Sequence, residues 1–227
     1  MSDPAPAAQQ FTVEFFRMRQ AKRYRLTLRP DGTFRCTVPA RGDLAHAQAF
    51  VQRNQAWMSQ RLQARASRPQ PPSTWTLGTS VLFAGVPHPI ESTPDGRLRV
   101  GPVEFMPPPA DIPDLRPATL LALRRHAAQV LPERVRELAA LHGFTPKFIQ
   151  VRNQSSRWGS CSIRGRISLN WRLIQVPDFV RDYIVLHELT HLRHMNHSDR
   201  FWHALSQVCP GYREAESWIK SHSLHLL

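Results

Sequence analysis

Cysteine is scarce in this chain of 227 residues: Cys36, Cys161 and Cys209 are the whole complement. They are odd in number, far apart, and form no CxxC. A disulfide framework is excluded on that count, and a reducing compartment is expected. Long apolar runs are missing too. None approaches the roughly 18 residues that a membrane helix needs, so no membrane partner is expected. The opening MSDPAPAAQQ has neither the basic nor the apolar stretch of a secretory signal. It reads as a disordered lead over residues 1–10, and a cytoplasmic protein is the expectation.

Acidic residues are the next shortage. Asp and Glu number 17 against 30 Lys and Arg, a net charge of +13. Such an excess can mark a polyanionic partner. Yet nearly all of it is Arg, with Lys only at 22, 147 and 220, and Ala and Pro are abundant. The reading preferred here is compositional bias; a nucleic-acid partner stays open without being favoured. Arg17, Arg19, Lys22, Arg23, Arg25 and Arg29 crowd one segment. They read first as an edge strand kept soluble by charge. The other reading is a patch for an anionic partner, with Arg25 and Arg29 on one strand face.

Against these absences stands a real core. Hydrophobic residues make up 41% and charged residues 21%, which excludes a largely disordered chain. The length allows one large domain, or a compact domain with a smaller one. Tyr24–Arg29 and Phe34–Val38 alternate around Asp31-Gly32, the pattern of a hairpin. Asp43 can cap a helix running to Ala66. Arg68–Pro72 breaks the chain, and short strands are expected at 75–77, 81–83, 98–100 and 103–105. The Pro-rich stretch 107–113 is the best boundary. It divides a β-rich part, residues 11–112, from a second part, residues 113–227. The second part reads as a helix from Pro117 to His142, a strand at 147–152, and a hairpin around Arg164-Gly165. Helices then follow over 177–195, 198–208 and 213–221.

The chemistry concentrates in His187-Glu-Leu-Thr-His191, an HExxH on a predicted helix. Residues i and i+4 sit one turn apart, so both imidazoles can reach one metal ion. Glu188, one residue on, can touch a water there without being a ligand. A catalytic zinc takes three protein ligands and keeps one open position. His197 is the best third ligand: Asn196 can end the helix in a left-handed conformation and Ser198 can cap the next one. His194 would lie on a diverging face, and His203 suits a supporting or core role. The spacing matches HExxHxxGxxH proteases, but His194 stands at the Gly position and no Met follows Met195. Cys161 reads as a small buried hydrophobe. Trp158, Trp171 and Trp202 read as core.

Ser156-Arg-Trp-Gly-Ser-Cys161, Leu169-Asn-Trp-Arg-Leu173 and His187-Glu-Leu-Thr-His-Leu-Arg-His-Met-Asn-His-Ser198 with Phe201-Trp202 resemble the YgjP-like metallopeptidase domain. That family is similar to the SprT and WLM zinc proteases. The resemblance is specific over about residues 150–205 and weaker over the N-terminal hairpin and helix. It implies an α+β, zincin-type fold, with His187, His191 and His197 as zinc ligands and Glu188 as catalytic acid/base.

The function read from these residues is zinc-dependent hydrolysis of a peptide or protein substrate. A zinc-activated water attacks, with Glu188 as general base. The edge of the 155–173 hairpin can receive substrate backbone as an added strand. Arg157 is a candidate catalytic residue, stabilising an oxyanion or binding an anionic group. One alternative is a metal-dependent nucleotide pyrophosphatase of the UTP type, weakened by the lack of a P-loop and of an acidic Mg cluster. Others are a nucleic-acid-associated protease and a zinc-stabilised binding module. Oligomeric state is not encoded in any feature found.

Overall fold

Phe34, Cys36 and Val38 alternate with Arg35 and Thr37, which dictates a strand with one buried face. The computed structural model describes residues 11–29, 31–66 and 74–226, with side chains to 222. The lead at 1–10 and the break at 68–72 lie outside those residues. The chain divides into two compact units, Met1–Pro71 and Pro72–Leu227.

The first unit holds β1 (Val13–Met18), β2 (Arg25–Leu28) and β3 (Phe34–Pro39) in the order β1-β3-β2. The hairpin β2-β3 is antiparallel, as expected, and turns through Gly32 at φ +88°. A side chain at that φ would be strained. Strand β1 was not anticipated, and it pairs parallel to β3 with Val13 opposite Phe34. Its adjacent Phe15 and Phe16 break the two-residue period that marks a strand.

Two helices close the unit, α1 (Leu44–Arg53) and α2 (Gln55–Ala66). Asp43 caps α1 by accepting from the His46 N–H at 2.7 Å. The single helix expected over 43–66 is interrupted at Asn54. There the side-chain amide donates to Phe50 O at 2.7 Å and the backbone N–H to Val51 O at 3.0 Å. A short amide side chain competes with the helix for its own carbonyls. Phe34, Cys36, Val38, Ala47, Val51 and Met58 form this unit's buried core.

The second unit opens with β4 (Ser80–Phe83), β5 (Val86–Pro89), β6 (Glu91–Ser92), β7 (Leu98–Val100) and β8 (Val103–Phe105). No strand forms at 75–77. There the Trp75 N–H donates instead to the Asp114 carboxylate at 2.8 Å. The Pro-rich stretch 107–113, where a boundary between 11–112 and 113–227 is expected, lies inside this unit. The reason is packing: Val81, Ile90, Leu98, Val100, Val103 and Phe105 share one core with Leu123, Leu131 and Val135 of α3 (Arg116–His142).

Three strands follow: β9 (Phe148–Arg152), β10 (Gly159–Cys161) and β11 (Arg166–Asn170). They form a sheet in the order β10-β11-β9, leaving β10 at an edge. A 3₁₀ turn, Trp171–Ile174, leads into α4 (Asp178–Thr190), then α5 (Asp199–Val208) and α6 (Tyr212–Leu226). Helix α4 is apolar around much of its circumference, and Val180, Tyr183, Ile184, Val185, Leu186 and Leu189 are all buried. The architecture is α+β. Among the described residues no helix is long and apolar enough to cross a membrane.

Helix α4 stops at Thr190 rather than running to Met195. The Arg193 guanidinium donates to Gly143 O at 2.8 Å and His142 O at 3.2 Å, carbonyls at the C-terminal end of α3. A cation there complements the negative end of that helix. It also lies 4.3 Å from the Phe144 ring centre. Capturing Arg193 bends the chain away from the axis of α4 and starts the turn that carries His197.

Candidate metal centre

The last turn of α4 presents His187 and Glu188, and His191 caps it. The His191 N–H still bonds His187 O at 3.3 Å, so the i, i+4 relation survives to the helix end. The turn over 191–198 then brings His197 back, with its Nε2 3.0 Å from Nε2 of His187. Ligand nitrogens of His187, His191 and His197 all lie within 4.8 Å of one another. Phe201, fully buried in the first turn of α5, backs all three rings at centroid distances of 4.9, 4.6 and 4.7 Å.

The tautomer of His191 fits this group to a cation. The Nδ1 of His191 meets the His194 carbonyl at 3.0 Å, so it is the donor and Nε2 keeps its lone pair. The Nδ1 of His187 is buried with no hydrogen-bond partner among the described residues. Burial first, and then the neighbouring His191 and His197, push His187 down to about 3. His191 is lowered as well, chiefly by burial, with the His194 carbonyl opposing. Neutral imidazoles facing one another are poor company for protons and good ligands for a zinc-like ion.

Glu188 is buried, 6% exposed, beneath β10. Burial pushes its carboxyl up to about 8, and the charge of Arg157 pulls the other way. A carboxyl near neutrality can both take and return a proton. Arg157 itself is exposed and belongs to the loop before β10. The fully buried Asn170 holds that loop, donating to Gln154 O at 2.8 Å and Arg157 O at 3.0 Å. Its Oδ1 accepts from the Arg172 N–H at 3.2 Å.

The remaining sequence candidates fall elsewhere. His194 contributes a carbonyl and no ring nitrogen to the group. His203 is exposed on α5 rather than in the core. Asn196 is not left-handed: Ala84 alone among described non-glycine residues has positive φ. Ser198 occupies the cap position of α5 with no side-chain cap bond. Trp158 and Trp171 are buried as expected, whereas Trp202 is half-buried against His197 and stacks on Tyr212. Cys161 is half-buried outside the group, its thiol pushed up to about 11 mainly by burial. Sequence reasoning gave no role to Gly159 or Asn170. Residues 167–173 alternate apolar and polar, so Asn170 falls in step with Ser168 and Arg172 and the pattern gives no signal that it is buried.

Two solved structures to which the chain is similar are metallopeptidase zymogens. Abylysin of Pyrococcus abyssi is 23% identical, with a TM-score of 0.37, over 40% of this chain and 93% of that one. Jannalysin of Methanocaldococcus jannaschii is 21% identical, with a TM-score of 0.37, over 41% of this chain and 96% of that one. No curated protein matches. The family model described as "YgjP-like, metallopeptidase domain" matches residues 22–222. With a match of that extent and a three-histidine group in its second unit, the chain belongs to the YgjP-like metallopeptidase family.

Proposed function

We propose that the protein is a zinc-dependent peptidase in which His187, His191 and His197 hold the ion, Glu188 is the general base, and Arg157 is an auxiliary cation. The observation that carries this reading is the convergence of three imidazole nitrogens beside a buried carboxyl on the same helix end. When bound, zinc supplies a Lewis acid that polarises the scissile carbonyl and acidifies water.

The chain's own residues supply the rest. Phe201 backs the three rings and limits their rotation. The His194 carbonyl fixes the tautomer of His191. Glu188 takes a proton from the attacking water and returns it to the leaving amine. Edge strand β10 offers unpaired backbone groups to an extended peptide beside Glu188. Arg157 stabilises negative charge developing on the substrate.

The test is protein purified without chelator, assayed for metal and then for turnover of casein and of UTP. Stoichiometric zinc with casein cleavage that chelation abolishes is the expected result. Hydrolysis of UTP with casein untouched overturns the peptidase reading and leaves the metal centre standing.

A further inference from the structure

The outer face of the sheet β1-β3-β2 breaks the usual pattern of a half-buried sheet. Its inner face is closed by Phe34, Cys36 and Val38 within the core of the first unit. The outer face should therefore be polar. Instead Phe16 and Met18 sit there, 41% and 43% exposed. The strand register sets Phe16, Thr37 and Arg25 in one row and Glu14, Arg35 and Thr27 in the next. The Arg35 guanidinium lies over the Phe16 ring, 4.9 Å from its centre. A cation thus covers one face of the aromatic, and a base would stack in its place or on the opposite face.

The connection from β1 to β2 adds Arg19, Lys22 and Arg23, all exposed. None of these three, nor Arg25, forms an ion pair among the described residues. Glu14, on this face, is taken up by Arg29 at 2.5 Å and Arg35 at 3.3 Å. Arg17 is structural, donating to Ala40 O and Gly42 O at 2.8 Å each. Arg29 is therefore not the free partner of Arg25 that the sequence suggested.

The charge is also unevenly spread. Residues 1–71 carry 12 Arg and Lys against four Asp and Glu, whereas residues 72–227 carry 18 against 13. Most of the net +13 thus falls in the smaller unit. A bias of composition alone would distribute it along the chain.

We propose that this sheet face docks single-stranded nucleic acid, with a base stacked on Phe16 and the backbone phosphates on Arg25, Arg23, Lys22 and Arg19. An exposed ring on an open sheet suits an unpaired base, whose face is free for stacking. Flanking arginines with no carboxylate partner suit a phosphate chain. A duplex would use the cations and leave the aromatic idle, since its bases stack on one another.

The test is fluorescence anisotropy of the full chain with a labelled 20-nucleotide oligo(dT), its RNA counterpart, and a duplex of the same length, over a salt series. Vesicles containing phosphatidylserine form a fourth arm. Tighter binding of either single strand than of duplex is expected, with a log–log salt slope of about −0.7 per phosphate contact. Arg23→Ser/Arg25→Ser should flatten that slope by about 1.4. Phe16→Ser should weaken single-strand binding by about tenfold or more, and Phe16→Trp should keep or tighten it. Circular dichroism confirms that each variant folds, and Phe16→Trp carries the test if Phe16→Ser does not. No single-strand binding at low salt, equal or tighter binding of duplex, preferential binding of the vesicles, or indifference to the residue at 16 overturns the proposal.

Discussion

A Cβ added to Gly159 would lie 2.6 Å from Oε1 of Glu188 and 2.7 Å from its Cγ. Edge strand β10 thus comes down onto the buried carboxyl, and only a residue without a side chain leaves it room. Gly159→Ala should keep the fold, since this glycine has no positive φ to lose. It should displace Glu188 and reduce turnover by roughly 10²-fold, the scale expected when a reacting group is misplaced by about an ångström. Steady-state kinetics beside a thermal melt check this; unchanged turnover means that Glu188 has another place to go.

Glu188→Gln should retain metal and fold and lose on the order of 10²–10⁴ in rate, because an amide cannot take the proton. Metal content and peptide turnover are read on the same preparation. Loss of the metal would make Glu188 a ligand instead.

His197→Ala should strip the metal centre far more than His194→Ala. The ring of His197 faces His187 across 3.0 Å, whereas His194 supports His191 through its backbone carbonyl, which an alanine keeps. Zinc titration by calorimetry gives the order, and equal losses would remove His197 from the ligand set.

In metal-stripped protein, Glu188 and His187 should bend stability in opposite directions. The folded-state value of Glu188 is raised from 4.5 to about 8. Its contribution is fully present below pH 4.5 and is lost as pH rises through 8. The value of His187 is lowered from 6.5 to about 3, so its contribution is present above pH 6.5 and lost as pH falls towards 3. Glu188→Gln removes only the first effect. The variant should match the wild type near pH 4 and exceed it by on the order of a few kcal/mol near pH 9. Urea denaturation with chelator present, at several pH values, measures the gap; a gap that does not widen with pH refutes it.

Asn170→Ala should leave Gln154 O and Arg157 O without their donor. An unsatisfied buried group costs about 1–3 kcal/mol, and the loop carrying Arg157 should loosen. A lower melting temperature, with faster hydrogen exchange over 153–158, is the expected signature. An unchanged melt would assign that loop's order to other contacts, such as Asn153 with the Trp171 indole at 2.9 Å.

What the sequence determined by itself was local. Hydrophobic period two around Asp31-Gly32 specified the β2-β3 hairpin, and Asp43 specified the start of α1. The pair His187 and His191 on one helix face, with Glu188 beside them, follows from 3.6 residues per turn and needs no partner element. Tertiary structure decided everything that depends on segments far apart in the chain. The parallel pairing of β1 with β3 has no short-range signal, because Phe16 faces outward against the pattern. The division at 71/72 depends on which strands share a core with α3, and Pro content does not report that. The end of α4 is set by Arg193 reaching α3, some 50 residues away in sequence. The room that Gly159 leaves for Glu188, and the grip of Asn170 on the loop bearing Arg157, exist only once the sheet is laid over the helix. Periodicity acts within a few residues and can be read from order alone; packing acts between elements and appears only when the chain has folded.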